Sequence, residues 1–435
     1  MKTKTHQFFS TPILTILGRS GGLLIPFLIA YYYGANPATD AFFFAYGIVF
    51  AMSGLCTPIF ESMLLPYLAE HKKFPDRVAG LVQSAVVVIL PVVLLGTFMV
   101  WVILPPVLTK WSGLPDASVR LVTRYFLEMM PVVLFGIGVA GGNSIFYLNK
   151  LYWFPAISPL LRSAWVFLFL FVGHSSMGLH AAAGGYAVGE VLRWGIGVFL
   201  LLRFSLWKFQ TYGGEAASRL KGFYGQIFYQ LLALLAIHLI PLTDQWFSSW
   251  LGEGNLSFLS YADRLFQIPY QLFLAGLLQI YLSDWSEAYY EEPKPDFWKT
   301  VRRDIRRVFL LALIFSIVSI LLSPFLVRLT YGWSPFSAQK MDLISKLFIS
   351  YMLGFAPAVV NLLYVRVLFV MKKSALFCLQ SWIKFVMNIV FNILFMHFFG
   401  LVGIALATSC VYVMTTLWLY FYLKKNWQRE GLNAS

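Results

Sequence analysis

The segment GLHAAAGGYAVGEVLRWGIGVFLLLR, residues 178–203, shows how this chain is built. It is long enough to cross a bilayer as a helix, which takes about 20 mostly apolar residues. Shifted by 222 residues, it falls on GLVGIALATSCVYVMTTLWLYFYLKK, residues 400–425. Both segments begin with Gly-Leu and end with a basic residue, and the preceding apolar segment follows without a gap, so that Arg162 falls on Lys384. The chain is therefore expected to contain two related halves.

The composition of the 435 residues indicates an all-α polytopic membrane protein. The hydrophobic share is 59%, the charged share is 12% and the mean hydropathy is +0.72, whereas soluble domains are about 45–50% apolar and about 25% charged. Twelve apolar segments predict twelve transmembrane helices, with approximate limits 11–33, 41–66, 80–107, 122–147, 153–173, 178–203, 224–250, 257–285, 306–330, 341–371, 374–397 and 400–423. Together with the repeat, they predict two pseudo-symmetric six-helix lobes, residues 1–222 and 223–435, related by an axis along the membrane normal.

The basic residues predict how the chain lies in the membrane. With the N-terminus in the cytoplasm, 21 of the 33 lysines and arginines fall on the cytoplasmic side and 5 on the outer side. The positive-inside rule therefore predicts a multi-pass membrane protein with both termini in the cytoplasm. The net charge of +14 lies mainly in short loops, so membrane lipids are expected partners and nucleic acid is not. A monomer is expected.

Four basic residues within the predicted spans are candidate substrate-binding residues: Arg19, Arg162, Arg264 and Lys384. A charge inside a bilayer is costly and marks a functional site by default. Several cations that converge on one cavity repel each other unless an anion joins them, and arginine can bind phosphate through two parallel hydrogen bonds. Because they are equivalent in the repeat, Arg162 and Lys384 are expected to face each other across the pseudo-twofold axis.

The alternative is that each cation is paired with a buried acid. Arg264 lies beside Asp263 and could instead pair with Asp244. Glu190 and Arg193 are three residues apart on one helix face and are expected to neutralise each other.

Acids within or near the spans are candidates for ion coupling. The sequence contains no HExxH or Walker motif, so neither an enzyme nor a metal site is expected. Without a nucleotide site, transport is expected to depend on an ion gradient, with Na⁺ or H⁺ as the coupling cation, or on the membrane potential. The candidate coupling acids are Asp40, Glu61, Asp244 and Asp263.

Four stretches of the chain resemble the MurJ/MviN family. They are YGANPATDAFFFAYGI (33–48), LLPYLAEHKK (64–73), YLNKLYWFPAISPLL (147–161) and LSYADRLFQIPYQLF (259–273). This family consists of lipid-linked saccharide flippases of the multidrug/oligosaccharidyl-lipid/polysaccharide exporter superfamily. The resemblance implies a V-shaped pair of six-helix lobes around a central cationic cavity. The cavity takes the head group of a polyprenyl diphosphate-linked saccharide, which moves from the cytoplasmic to the outer leaflet by alternating access.

The resemblance also assigns residues. Arg19 matches the arginine of the family's first helix, Arg264 that of the eighth helix, and Asp40 the acid after the first helix. Members that move lipid II usually carry a further arginine where this chain has Ile25, and an arginine pair where it reads FAMSGLCTP (50–58). They also have two more C-terminal helices, whereas this chain is expected to end after twelve.

The candidate substrates therefore include lipid II and an O-antigen, capsule or exopolysaccharide unit. Two other functions stay open: a drug or cation antiporter of the same superfamily, and a membrane glycan ligase or polymerase. An excess of cations over acids in the cavity argues against cationic drugs. The lack of a long outer loop argues against the ligase or polymerase.

Overall fold

The regular structure of the chain is helical throughout the part that the computed structural model describes, which comprises residues 2–70, 75–207, 221–291, 294–371 and 373–432. The helices are α1 (Lys2–Tyr33), α2 (Pro37–Pro58), a π-helix (Ile59–Leu64), α3 (Leu65–Glu70), α4 (Pro75–Trp111), α5 (Asp116–Leu148), α6 (Trp153–Gly173), α7 (His180–Arg203), α8 (Lys221–Ser249), α9 (Asn255–Glu291), α10 (Lys294–Leu321), α11 (Ser323–Tyr331), α12 (Ala338–Leu353), α13 (Phe355–Val370), α14 (Ser374–Phe399) and α15 (Leu401–Leu432).

These helices match the predicted spans closely. Within the described residues, ten helical segments are long and apolar enough to cross a membrane, or eleven if the bent pair α10–α11 counts as one span. Eleven of the twelve predicted spans are thereby matched. The eighth, 257–285, lies within the 37-residue α9.

Large apolar side chains lie on the surface of the helices, which indicates that lipid surrounds the fold. On α4, Val92, Leu95 and Phe98 are 67%, 63% and 53% exposed. Soluble monomers rarely expose contiguous apolar surface of this kind. A helix with such a surface is stable where lipid tails replace water.

The predicted ninth span is not one straight helix. α10 and α11 are bent by 69° where they meet, at Leu322. Pro324 follows in the first turn of α11. A proline has no amide hydrogen and its ring clashes with the carbonyl four residues earlier, which favours a break or a bend of the helix at this point.

The predicted tenth span is divided at Gly354 into α12 and α13. The Ser409 hydroxyl donates hydrogen bonds to the carbonyl oxygens of Ser350 and Tyr351 at the end of α12. This side chain therefore satisfies carbonyl groups that a helix interruption leaves free in a membrane.

Replacing Gly354 by alanine is expected to destabilise the fold. A Cβ atom at this position would lie 2.6 Å from the Ser409 Cα atom, so α15 would have to move away, at a cost of about 1–3 kcal/mol. Thermal unfolding in detergent measures the effect. Gly96→Ala is the matched control, because a Cβ atom there meets nothing within 4 Å. Equal unfolding temperatures for both variants would contradict this account of Gly354.

The predicted second span also has an irregular end. Asn36 caps α2 by accepting hydrogen bonds from the amides of Ala38 and Thr39. After Pro58 the chain winds into the π-helix Ile59–Leu64, a rare conformation that often occurs at functional sites. Glu61 lies in this segment.

The chain forms two compact units. The N-terminal unit comprises Met1–Tyr32 and Asn36–His238, and the C-terminal unit comprises Tyr33–Ala35 and Leu239–Ser435. In the first, α2 packs on α5 and α6 packs on α7; in the second, α14 packs on α15 and α9 packs on α12. The division falls within α8 and not after residue 222, because Leu231 packs against the apolar core of the N-terminal unit. The boundary of two six-helix lobes at residue 222 stays a prediction from the repeat.

Candidate functional site

The C-terminal unit buries one carboxylate among neutral polar groups. Asp244 on α8 is only 6% exposed. Asn388 and Asn392, one turn apart on α14, donate to its Oδ1 atom at 2.9 and 2.7 Å, and the Thr408 hydroxyl on α15 donates to Oδ2 at 3.0 Å. The Oδ1 atom of Asn392 is buried and has no hydrogen-bond partner.

This cluster can offer oxygen atoms as ligands. The three side chains that donate hydrogen bonds to Asp244 are all uncharged. Which end of an asparagine amide carries the oxygen is an assignment made from the hydrogen bonds. Turning either amide of Asn388 or Asn392 would present its oxygen beside the Asp244 carboxylate. Carboxylate, amide and hydroxyl oxygens are the ligands that hard cations prefer. The arrangement can therefore bind a proton or a small hard cation.

Two of the stretches that carry the family resemblance meet in the C-terminal unit. The Tyr261 hydroxyl donates to the Gly34 carbonyl, and the Tyr331 hydroxyl donates to the Tyr261 carbonyl at 2.9 Å. Tyr261 is fully buried. These bonds fix the start of α9 just before Asp263 and Arg264.

Asp263 and Arg264 lie in the third turn of α9. Gln267, one turn further on, donates to Asp263 Oδ1 at 3.2 Å. The Arg264 side chain is half-buried. The hydrogen bonds of the Asp244 carboxylate come from Asn388, Asn392 and Thr408. The alternative pairing of Asp244 with Arg264 is not among these bonds.

Lys384 is held by neutral groups. Its Nζ atom donates to Asn361 Oδ1 at 3.0 Å and lies 4.8 Å from the centroid of the Tyr412 ring. Gln380 donates to the same Asn361 oxygen at 3.3 Å, and Asn361 donates to the Thr415 hydroxyl at 3.3 Å. Within the described residues, Lys384 has no carboxylate within 4 Å.

In the N-terminal unit, two arginines share one glutamate. Glu190 accepts from Arg162 at 3.0 Å and from Arg193 at 3.2 Å. Arg193 also donates to the Ser158 hydroxyl at 2.9 Å, and the Arg162 guanidinium lies 5.0 Å from the centroid of the Phe50 ring. The expected Glu190–Arg193 pair is confirmed. Arg162 has the buried acid that the alternative interpretation required.

The repeat in the sequence extends to these contacts. Arg162 and Glu190 correspond, 222 residues on, to Lys384 and Tyr412, and each pair is in contact within its own unit. The N-terminal pair is an ion pair, whereas the C-terminal pair is a cation over an aromatic ring. Whether Arg162 and Lys384 face each other concerns two different units and stays a prediction.

Removing the shared glutamate is expected to destabilise the N-terminal unit strongly. Glu190→Gln leaves Arg162 and Arg193, whose side chains are 17% and 11% exposed, without their common carboxylate. Breaking a buried ion pair in this way costs about 3–5 kcal/mol. Unfolding in detergent measures the loss, with Glu128→Gln as the control, because that side chain is 29% exposed. A variant as stable as the control would contradict the assignment.

A cavity of about 200 Å³ lies next to this ion-pair network. Its charged lining residues are Glu61, Arg162, Glu190 and Arg193, and its other lining residues are Phe50, Ser53, Gly54, Thr57, Gly136, Val139 and Ala140. Glu61 accepts a hydrogen bond of 2.6 Å from the Asn143 amide. Sequence analysis identified Glu61 as a candidate coupling acid but did not reveal this cavity, because its lining residues come from four α-helices and the π-helix.

Arg19 and Asp40 occupy different environments. Arg19 is exposed on α1, beside Gly18, where a Cβ atom would overlap the Ala156 carbonyl oxygen. α1 therefore lies directly against α6 at Gly18. Asp40 is buried in the first turn of α2, where the helix dipole stabilises a carboxylate.

Comparison with known proteins gives the family. A family model described as "Lipid II flippase MurJ" matches residues 29–434. A protein of Thermotoga maritima named probable lipid II flippase MurJ is 22% identical over 432 residues, which cover 97% of this chain and 86% of that protein.

Two solved structures have the same fold. One is lipid II flippase MurJ in an inward closed conformation, with a TM-score of 0.77, 22% identity, and coverage of 100% of this chain and 91% of that one. The other is the Vibrio cholerae MATE transporter VcmN, with a TM-score of 0.71, 14% identity, and 98% of each chain covered. These likenesses confirm the all-α polytopic fold, and the match over residues 29–434 shows that the chain belongs to the MurJ family.

Proposed function

We propose that this protein is a flippase that moves a polyprenyl diphosphate-linked saccharide from the cytoplasmic to the outer leaflet by alternating access. The observation that carries the proposal is the family match over residues 29–434. The protein is accordingly a transporter and not an enzyme. MATE transporters share the fold at 14% identity, which supports the drug antiporter alternative only weakly.

The residues proposed to bind the head group are Arg19, Arg162, Arg264 and Lys384. The contacts of each side chain indicate how available its charge is to an anion. Arg264 and Arg19 are proposed to bind the diphosphate. Lys384 is held by neutral partners, so its charge remains available to an anion. Arg162 already binds Glu190 at 3.0 Å, which supports the structural alternative for this residue.

The saccharide is proposed to be either the peptidoglycan precursor lipid II or an O-antigen, capsule or exopolysaccharide unit. The family name supports lipid II. Ile25 stands where members that move lipid II usually carry an arginine. An isoleucine has no charge to offer a ligand, and this one is buried, with 1% exposed. That departure supports a different lipid-linked glycan.

Transport is proposed to be coupled to a cation gradient or the membrane potential. Asp244 is the strongest of the four candidate acids, because Asn388, Asn392 and Thr408 surround its carboxylate with further potential oxygen ligands. Asp40, Glu61 and Asp263 remain candidates. Na⁺ and H⁺ both suit an oxygen site of this kind.

Depleting the protein in the organism that makes it tests the proposed function. A flippase defect leaves the lipid-linked saccharide in the cytoplasmic leaflet, where an impermeant reagent added to intact cells or spheroplasts cannot reach it. A missing ligase or polymerase instead leaves the intermediate accessible in the outer leaflet. Accumulation on the outer side would therefore reject the flippase and favour the enzyme.

The proposed topology has its own test. With both termini in the cytoplasm, a cysteine introduced by Ser435→Cys in a chain freed of Cys56, Cys378 and Cys410 is expected to resist an impermeant thiol reagent until the membrane is opened. A cysteine at Ser112, between the third and fourth predicted spans, serves as the outer-side control. Labelling of Ser435→Cys in sealed cells would contradict the orientation.

A further inference from the structure

The cavity of the N-terminal unit is separate from the Asp244 cluster, and of the four proposed head-group residues its lining includes Arg162, which is already bound to Glu190. It lies entirely within that unit. Four of its lining residues are ionisable: Glu61, Arg162, Glu190 and Arg193. Charges at this depth in a membrane protein require a function or a complete set of partners.

The size of the cavity limits what it can hold. Sites for small-molecule ligands are usually about 300–1,000 Å³, and this cavity is about 200 Å³. A cavity needs only about 10–15 Å³ of this kind of volume to hold a water molecule, so several waters fit in the space. The cavity therefore suits water and a proton better than a sugar.

The two carboxylates of the cavity have different roles. Both oxygens of Glu190 accept from guanidinium groups, Oε2 from Arg162 at 3.0 Å and Oε1 from Arg193 at 3.2 Å. Protonating Glu190 would weaken both bonds and leave two buried cations with no shared anion, which is strongly unfavourable. Glu190 is therefore expected to stay ionised.

Glu61 is free to change its charge. Its carboxylate accepts a hydrogen bond of 2.6 Å from the neutral Asn143 amide, and within the described residues no lysine, arginine or histidine lies within 4 Å of it. Asn143 is 2% exposed, and its Oδ1 atom is buried without a hydrogen-bond partner.

Asn143 can serve both states of this carboxylate. An asparagine amide donates through nitrogen and accepts through oxygen. When Glu61 is ionised, Asn143 Nδ2 donates to it, as observed. When Glu61 is protonated, a half-turn of the amide lets the unused Oδ1 atom accept the new O–H group. Asn143 therefore stays neutral in both protonation states of Glu61.

The charged and titratable groups around Glu61 come from five helices. Arg19 and Arg193 act on it electrostatically, and so does Tyr147. By helix, the groups are Arg19 on α1, Tyr147 on α5, Arg162 on α6, Glu190 and Arg193 on α7, and His238 on α8, which packs against Gly54. Within the cavity lining, two arginines balance two glutamates, so uptake of a proton changes the net charge from zero to +1.

We propose that this cavity is a proton-binding site of the N-terminal unit and that Glu61 is the group that carries the proton. A hydronium ion in the cavity gives its proton to the carboxylate, leaving a water molecule and a neutral carboxylic acid that donates to Asn143. The site is separate from the Asp244 cluster of the C-terminal unit. Its role in transport rests on the proposed function, whereas proton binding itself does not.

Infrared difference spectroscopy on the purified protein tests proton binding without any substrate. As the pH is lowered, the wild type is expected to gain the C=O stretching band of a buried carboxylic acid, which shifts in D₂O. Glu61→Gln should lose the part of this band that belongs to Glu61, whereas Asp244→Asn, which removes the acid of the C-terminal cluster, should keep that part. Glu128→Gln should retain it, because that glutamate, in the same unit, pairs with Arg124 and His180 outside the cavity. A wild type without the band, or an unchanged band in Glu61→Gln, would overturn the proposal.

Glu61→Asp covers the case in which Glu61→Gln does not fold. Aspartate keeps a carboxylic acid but shortens the side chain, so the band is expected at a different frequency; an unchanged band would overturn the proposal.

Flipping assays in liposomes separate this inference from the proposed function. Glu61→Gln is expected to flatten the pH dependence of wild-type transport. If the wild type moves no lipid-linked saccharide but the band depends on Glu61, the proposed function fails and the proton site stands. If transport occurs but the band is independent of Glu61, the proton site fails alone.

Discussion

Arg264→Ala is expected to abolish transport while leaving the protein folded and inserted. A diphosphate would bind the guanidinium of Arg264 through two parallel charge-assisted hydrogen bonds. Each is worth about 1.5–3 kcal/mol, so their loss weakens head-group binding by about 100-fold or more, since about 1.4 kcal/mol is a factor of ten. The flipping rate of a labelled lipid-linked saccharide in liposomes measures the effect.

Two further variants make the test of Arg264 specific. Arg264→Lys should recover only part of the rate, because lysine keeps the charge but loses the planar fork. Arg366→Ala is the matched control: this half-buried arginine lies in the same unit, 5.9 Å from the centroid of the Phe369 ring. It should transport nearly as well as the wild type.

A structural role for Arg264 predicts a different outcome. If its purpose is to neutralise Asp263, removing the arginine should destabilise the protein, and removing the acid as well should restore function. A double variant, Asp263→Asn with Arg264→Gln, that transports normally would contradict diphosphate binding. A stable but inactive double variant agrees with it.

Asp244→Asn is expected to abolish cation-dependent stabilisation of the C-terminal unit. A cation that binds only the folded protein stabilises it by about 2.7 kcal/mol at a concentration 100 times its dissociation constant. The asparagine keeps the shape of the side chain but removes the only charge of the Asp244–Asn388–Asn392–Thr408 cluster. Thermal unfolding at increasing Na⁺, with choline replacing it at constant ionic strength, measures the difference.

The control for Asp244 is a second acid of the same unit. Asp342 is 60% exposed and pairs with Lys346 at 2.7 Å, so Asp342→Asn should keep the response of the wild type to Na⁺. A wild type that responds to lowered pH but not to Na⁺ would assign the site to a proton. Equal responses of Asp244→Asn and wild type to both would contradict the coupling role of Asp244.

Local features of the sequence predicted much of the fold. The spans follow from runs of apolar residues, and the Glu190–Arg193 contact follows from a spacing of three on one helix. The breaks were harder to predict: the interruption at Gly354 depends on the close approach of Ser409, which is distant in the chain. Pro324 gave a local signal for the bend between α10 and α11, although proline in a membrane helix does not by itself require a bend of 69°.

Contacts between distant helices could not be predicted from one sequence. Asp244 stood out as a buried acid, but Asn388, Asn392 and Thr408 are 144, 148 and 164 residues away. The spacing of four between the two asparagines, which places them on one face of an apolar helix, was the available signal. Arg162 was a candidate substrate-binding residue in the sequence analysis. Its partner Glu190 lies on another helix, 28 residues further along the chain, so the sequence did not reveal this ion pair.

Reconstitution tests the central claim most directly. Purified protein in liposomes, with a labelled polyprenyl diphosphate-linked saccharide initially in one leaflet, is examined for the fraction that becomes accessible to an impermeant reagent on the other side. A flippase moves the label across faster than protein-free liposomes do, and mass spectrometry finds the saccharide unchanged. No acceleration over protein-free liposomes for lipid II or any of the other candidate glycans, or label recovered in a new covalent product, would contradict the account.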